Sequence, residues 1–254
     1  MSFLELFKRP CFIGAHRGSR STHPENTLSA LKNSIGHCDF IEVDVQLSRD
    51  GITVIMHDET LERTTNVKEK EAYKTRIPYK LTDFTYAELT SLDYGSWFYI
   101  DKKKPEPLLT LKKVLEFVKE NKLFINIEIK DLHHHFSDKQ VLSTVLKEIN
   151  NSGAKELILL SSFRHEYMIL SNKMQADIPT AALVYNKHPA SLLQYLKSLN
   201  VDAYHFNDKL ADKQTIRKLR DAGVFVNIYT VNDLKRRQQL FNMGVNGVFT
   251  DYLE

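Results

Sequence analysis

Phe12-Ile13-Gly14-Ala15-His16-Arg17-Gly18 is an apolar run of strand length that ends in an imidazole, a guanidinium and a glycine. After five intervening residues, Pro24-Glu25-Asn26-Thr27 opens a segment with Leu28, Leu31 and Ile35 at helical spacing. The pattern predicts a strand, a loop and a helix, with Pro24 just before the helix and Asn26 or Thr27 as its cap. Gly18 lets the backbone turn sharply. The strand end then presents an acid/base group beside a planar anion-binding fork at one edge of a sheet, where ligands of α/β proteins bind.

The same unit recurs downstream. Asp39 to Leu47 alternates polar and apolar residues, so Glu42 and Asp44 share one face. Ser48-Arg49-Asp50-Gly51 reads as a turn, and Ile52 to Met56 as an antiparallel return that brings His57 level with Glu42 to Asp44. Thr110 caps a helix with Leu111, Val114, Leu115 and Val118 on one face, which leads into a strand from Leu123 to Ile129. Strands over 157–163, 180–185, 203–206, 225–230 and 247–250 then alternate with helices over 139–150, 166–174, 190–199, 213–222 and 233–243. With the 52–57 return set aside, eight strands begin at Phe12, Phe40, Leu123, Leu157, Thr180, Ala203, Phe225 and Gly247. Eight βα units predict an α/β fold of the (β/α)8 TIM-barrel type, one domain over 1–254. An open doubly wound sheet would need a glycine-rich phosphate turn, which Gly14, Gly18 and Gly36 do not form.

Residues 59–107 break the rhythm and are too long for an ordinary loop. They read as a small subdomain inserted after the second barrel strand, walling or lidding the site, with a helix around Tyr86 to Leu92 and aromatics at Tyr94, Trp97, Phe98 and Tyr99. The 254 residues are 42% hydrophobic and 26% charged, ordinary globular material. A net charge of +3 is too small for a nucleic-acid footprint, so the expected partner is a small molecule. Met1 to Pro10 carries Glu5, Lys8 and Arg9 and lacks a signal-peptide core, and no apolar run is long enough to span a membrane. The expectation is a cytoplasmic protein whose Cys11 and Cys38 stay reduced, with the oligomeric state left open.

In a barrel the C-terminal strand ends share one mouth, where His16, Arg17, Glu42, Asp44, His57, Glu128 and Lys130 can converge. Three carboxylates form an all-oxygen site for one hard divalent cation, Mg2+ or Ca2+. Arg17 and Lys130 supply positive charge suited to a phosphate that shares the metal. His16 and His57 can divide proton removal and proton donation between them, as phosphodiester cleavage requires. Glu25, Asn26 and Asp58 are expected behind these groups as supports. His205, at a strand end, is a candidate substrate contact, whereas His133-His134-His135 are consecutive and poorly placed to aim at one ion.

His16-Arg17-Gly18 followed by Pro24-Glu25-Asn26-Thr27, Glu42-x-Asp44-Val45, His57-Asp58 with Thr64-Thr65, Glu128-x-Lys130, and the closing Thr250-Asp251 form an ordered series over almost the whole chain. The series resembles the glycerophosphodiester phosphodiesterase family, as does Gly95-Ser96-Trp97-Phe98. The resemblance implies a barrel with an insertion after its second strand, a divalent metal at Glu42, Asp44 and Glu128, and His16 and His57 as the acid/base pair. It also implies phosphate contacts from Arg17 and Lys130, with sn-glycerol 3-phosphate and an alcohol as products. Tyr229 stands where members often carry tryptophan, so the wall facing the glycerol or the alcohol differs. Lys102-Lys103-Lys104 beside Trp97 to Tyr99 leaves open peripheral membrane contact and a lysophospholipase D that works at a bilayer surface. A non-catalytic phosphate-ester binding barrel is the rival of a different class, and two retained histidines argue against it.

Overall fold

The computed structural model describes residues 2–99 and 102–253; Met1, Glu254 and the Ile100-Asp101 pair of the predicted insertion lie outside the described residues. In chain order, α1 (Phe3–Leu6) precedes β1 (Phe12–Ala15), α2 (Leu28–Asn33), β2 (Phe40–Leu47) and β3 (Thr53–Ile55). Then come α3 (Tyr86–Leu89), α4 (Leu111–Asn121), β4 (Phe124–Ile129), α5 (Asp138–Ser152), β5 (Ile158–Ser162), α6 (His165–Met174) and β6 (Thr180–Val184). The chain closes with α7 (Leu192–Leu199), β7 (Ala203–Asn207), α8 (Lys213–Asp221), β8 (Phe225–Tyr229), α9 (Leu234–Asn242) and β9 (Gly247–Thr250). Among the described residues eight strands pair in parallel in the order β1-β9-β8-β7-β6-β5-β4-β2, and β1 pairs with β2 to close the ring. The predicted TIM barrel is the observed fold.

Alternation along each strand builds it. On β2 and β4, Ile41, Val43, Val45, Ile125, Ile127 and Ile129 face outward into a core shared with α4 and α5. Phe40, Glu42, Asp44, Phe124, Asn126 and Glu128, the residues between them, point into the barrel. Two glycines make room there. A Cβ on Gly14 would sit 2.1 Å from the Phe40 ring, and one on Gly247 would sit 2.0 Å from the Phe12 ring.

β3 is the expected hairpin return, antiparallel to β2 with Val45 opposite Ile55 and Leu47 opposite Thr53. Its other edge is covered, because Ile55 N–H donates to the Leu109 carbonyl at 2.8 Å and Val54 bridges Thr110. Between these points Leu61, Val67, Tyr79, Leu81, Phe84, Leu89, Leu92, Tyr94 and Leu108 pack with Val54 and Met56 into a separate apolar cluster. The helix read around 86–92 is a single turn. Beyond it the Asp93 carboxylate gathers the N–H groups of Gly95, Ser96 and Glu106 and draws the chain out of helical geometry.

At the N-terminal ends of the strands, α1 plugs the barrel, an element the sequence pattern did not disclose. Phe3 packs edge-on against Phe7, Phe40 and Phe124 at centroid distances of 5.3, 5.7 and 5.6 Å, and Phe7 stacks on Phe225 at 4.7 Å. Each fully buried phenylalanine contributes about 1.5–3 kcal/mol, and edge-to-face pairs about 0.5–1.5 kcal/mol more. Cys11 and Cys38 are both free thiols; Cys38 Sγ donates to the Ser34 carbonyl, and burial pushes its thiol up to about 12. No helix among the described residues is long and apolar enough to cross a membrane.

Candidate active site

The loop after β1 is built on strained backbone. Arg17 and Gly18 take φ of 58° and 78°, and Asn26 takes 58°. For a non-glycine residue the left-handed region costs on the order of 1–2 kcal/mol. Hydrogen bonds hold it: Arg17 N–H donates to Glu42 Oε2 at 2.8 Å, and Asn26 N–H to the Arg17 carbonyl at 3.0 Å. The choice of cap is resolved as well. Thr27 accepts from Ala30 N–H and caps α2, which frees the Asn26 amide to donate to Asp44 Oδ2 at 2.9 Å.

Register between β2 and β4 sets Asp44 beside Glu128 and Glu42 beside Asn126. Ligand oxygens of Glu42, Asp44 and Glu128 lie within 4.8 Å of one another. Burial, then the charges of Asp44 and Glu128, push the Glu42 carboxyl well above its ordinary range. Burial pushes Asp44 the same way, but the charges of Lys130 and Arg17 win and hold it low. Lys130 Nζ donates to Glu128 Oε1 at 2.6 Å and to Asp44 Oδ1 at 3.3 Å, and these carboxylates overcome its burial and raise its pKa. Glu42 Oε1 is buried with no hydrogen-bond partner. A buried, unpartnered carboxylate oxygen within an all-oxygen set is the arrangement that a hard divalent cation completes, so the residues present fit Mg2+ or Ca2+.

Both expected histidines face the same cavity of about 430 Å³, which is also lined by Arg17, Glu42 and Glu128. His16 Nδ1 lies 2.7 Å from Asp251 Oδ1, and His57 Nδ1 lies 2.6 Å from Asp58 Oδ1. A carboxylate at Nδ1 fixes the proton there and leaves Nε2 for the cavity. Burial lowers the His16 pKa and the Arg17 charge adds to this, against the hydrogen bond that His16 donates to Asp251. Asp58, read from the sequence as a support, is therefore the group that orients His57.

Glu25 is the hub behind the loop. Its buried carboxylate accepts from Arg17 at 2.8 Å and Arg63 at 2.7 Å and pairs with Arg20 at 2.9 Å. Burial would raise its pKa, but the Arg63 hydrogen bonds and the Arg17 and Arg20 charges bring it down to about 2.

Across the mouth, Phe163, Leu183, Tyr185 and Tyr229 from the strand ends of β5, β6 and β8 form an aromatic and aliphatic wall. Tyr229 donates its hydroxyl to the Val184 carbonyl and sits edge-on to Phe163. His205 is not brought to the cavity. Inward positions on β7 fall at 203, 205 and 207, and His205 occupies the middle rung, fully buried, 2.8 Å from the Asn227 amide and against the Phe249 ring. Asn207, two residues on, is the β7 residue that reaches the mouth. His133 is held by Asp131, and His165 and His188 contact Tyr195 and Tyr204. The sequence pattern does not mark Asp251, Arg20 or Arg63 as site residues. For Asp251 the available signal was the Thr250-Asp251 pair closing the last strand.

Fold and site together define a TIM-barrel hydrolase with a pocket suited to a phosphate ester. The chain belongs to the glycerophosphoryl diester phosphodiesterase family, whose model matches residues 16–254. It is 33% identical over 245 residues to a glycerophosphodiester phosphodiesterase of Bacillus altitudinis, a match covering 94% of each chain. It is 31% identical over 252 residues to a glycerophosphodiester phosphodiesterase of Bacillus subtilis, covering 94% of this chain and 82% of that one. Among solved structures, an Oleispira antarctica phosphodiesterase in complex with the product sn-glycerol-3-phosphate matches with a TM-score of 0.86 at 27% identity, over 98% of this chain and 96% of that chain.

Proposed function

We propose that the protein is a divalent-cation-dependent glycerophosphodiester phosphodiesterase, a single barrel domain with residues 59–107 as its insertion. Its substrates are small glycerophosphodiesters such as glycerophosphocholine or glycerophosphoethanolamine, hydrolysed to sn-glycerol 3-phosphate and an alcohol. The observation that carries this reading is the pair of histidines, each with Nδ1 held by a carboxylate and both lining the cavity that Glu42 and Glu128 also line.

Arg17 and Lys130 bind the phosphate oxygens, and Tyr229 walls the organic part of the substrate. His16, half-buried beside the Arg17 guanidinium, stays neutral and takes the proton from the attacking oxygen. His57, flanked by Asp58 and close to the charge of Asp44, gives its Nε2 proton to the leaving alkoxide. Glu42, Asp44 and Glu128 would hold the cation, which when bound supplies charge neutralisation at the phosphate. Glu25, Asn26, Asp58 and Asp251 keep these groups in place.

The test is a panel of glycerophosphodiesters assayed for glycerol 3-phosphate release with each metal in turn. Release that stops in chelator and returns with Mg2+ or Ca2+ supports the proposal; tight binding with no product under any metal favours a binding barrel. Trp97 is exposed beside the exposed Lys102 to Lys104. That surface makes lysophosphatidylcholine, presented in vesicles, the comparison substrate for a reaction at a bilayer.

A further inference from the structure

Arg63 belongs to the 59–107 excursion, yet every hydrogen bond it is seen to make goes to the catalytic end of the barrel. Its Nε donates to Asp58 Oδ2 at 2.6 Å and its Nη2 to Asp58 Oδ1 at 2.9 Å. On its other side Nη1 donates to Glu25 Oε2 at 3.0 Å and Nη2 to Glu25 Oε1 at 2.7 Å. One planar fork thus grips two carboxylates, each of which holds a proposed active-site side chain: Asp58 holds His57 and Glu25 holds Arg17.

The two attachments differ in redundancy. Glu25 keeps Arg17 and Arg20 if Arg63 is lost. Asp58 has no other cation: among the described residues its side chain meets only Arg63 and the ring it orients, His57. Without the guanidinium, Asp58 is free to rotate about its side-chain bonds, and the His57 ring loses the fixed partner that sets its tautomer and direction. Trp97, also from the excursion, lies against the guanidinium with its ring centroid 5.9 Å from Cζ and limits the side chain's freedom on that face.

We infer that Arg63 is a positioning residue for the hydrolysis, acting through Asp58 on His57, so that the excursion from the barrel completes the active site. This rests on the reading of His57 as the proton donor to the leaving alkoxide. The Arg63 side chain is 42% exposed and Glu25 keeps Arg17 and Arg20 without it, so loss of Arg63 is expected to lower the melting temperature only modestly, and a purely structural role would show as that fall without a selective kinetic defect.

The experiment compares wild type, Arg63→Gln, Arg63→Lys, His57→Ala and the Arg63→Gln/His57→Ala double variant, each as the full chain with its activating metal. Substrates are glycerophosphocholine, whose alkoxide needs a proton, and a glycerophosphodiester with a p-nitrophenyl leaving group, which does not. Arg63→Gln is expected to lower kcat on glycerophosphocholine about 10- to 100-fold with KM nearly unchanged. The loss should shrink to about twofold or less on the p-nitrophenyl ester, and also in the His57→Ala background, because the two residues act as a unit. Arg63→Lys, which keeps the charge but loses the two-sided fork, should recover only part of the rate. An undiminished Arg63→Gln defect in the His57→Ala background, or wild-type kcat in Arg63→Gln whatever its melting temperature, overturns the inference. If His57→Ala loses equally on both esters, the proton-donor reading of His57 fails; the double variant still decides whether Arg63 acts through that ring.

Discussion

At the lower rim of the barrel Phe3, Phe7, Phe12, Phe40 and Phe124 interlock in one apolar cluster. At the upper rim the same strands, two or four residues further on, carry Glu42, Asp44, Glu128 and His16. β2 rises from Phe40 through Glu42 to Asp44, and β4 from Phe124 through Asn126 to Glu128, so each inward face runs from hydrocarbon to charge within three rungs. Close-packed rings at one end add stability, whereas like-charged carboxylates gathered at the other remove it. This barrel thus separates its two tasks along the strand axis, and substitutions at the two ends should fail in different ways.

The sharpest attempt to break that separation is at the top. His16→Ala and His57→Ala should each lower kcat roughly 10²- to 10⁴-fold while the melting temperature stays near wild type. Unfolding instead of inactivation would show that the upper rim also holds the fold. At the bottom, Phe3→Ala should cost about 3–5 kcal/mol in urea denaturation, with activity per folded molecule unchanged; a large fall in kcat there would merge the two ends.

A pH experiment sharpens the contrast. The Glu25 carboxyl is depressed from 4.5 to about 2 in the folded protein. As pH falls below 4.5 the unfolded chain takes up a proton that the native chain refuses, so stability present above 4.5 is lost as pH falls toward about 2. The full loss from this group is roughly 3 kcal/mol, of which about 2 kcal/mol falls between about pH 6 and about pH 3, read as the change in urea midpoint. Glu25→Gln should flatten that part of the curve. The smallest effect is expected for Tyr229→Phe, which removes the hydroxyl donated to the Val184 carbonyl and should cost about 1 kcal/mol by the same denaturation assay.

Most of the barrel was legible because a period of two is written into each strand and a period near 3.6 into each helix. The same parity put Glu42 and Asp44 on one face, and hairpin arithmetic carried His57 to them: Met56 N–H donates to the Asp44 carbonyl at 2.9 Å. What stayed hidden depends on distance along the chain. Phe3-Leu4-Glu5-Leu6 is too short to announce a helix, and its rings acquire meaning only against the open lower end of a barrel. Asp251 is 235 residues from His16, and no local pattern couples them. The sequence pattern ends the seventh barrel strand at Phe206 and so puts His205 at a strand end, but the strand runs on to Asn207 and His205 sits one rung below the mouth.

The excursion that carries Arg63 departs after β3 and comes back alongside it, where Leu109 and Thr110 pair with Ile55 and Val54. Its two stems are therefore neighbours, and the closed ring of eight strands is indifferent to how much chain is looped out between them. Such a segment can be lengthened, trimmed or exchanged between relatives as a cassette, giving one barrel different entrances. If Arg63 positions His57 as inferred above, a replacement would need an arginine at the first bend, facing back toward the mouth.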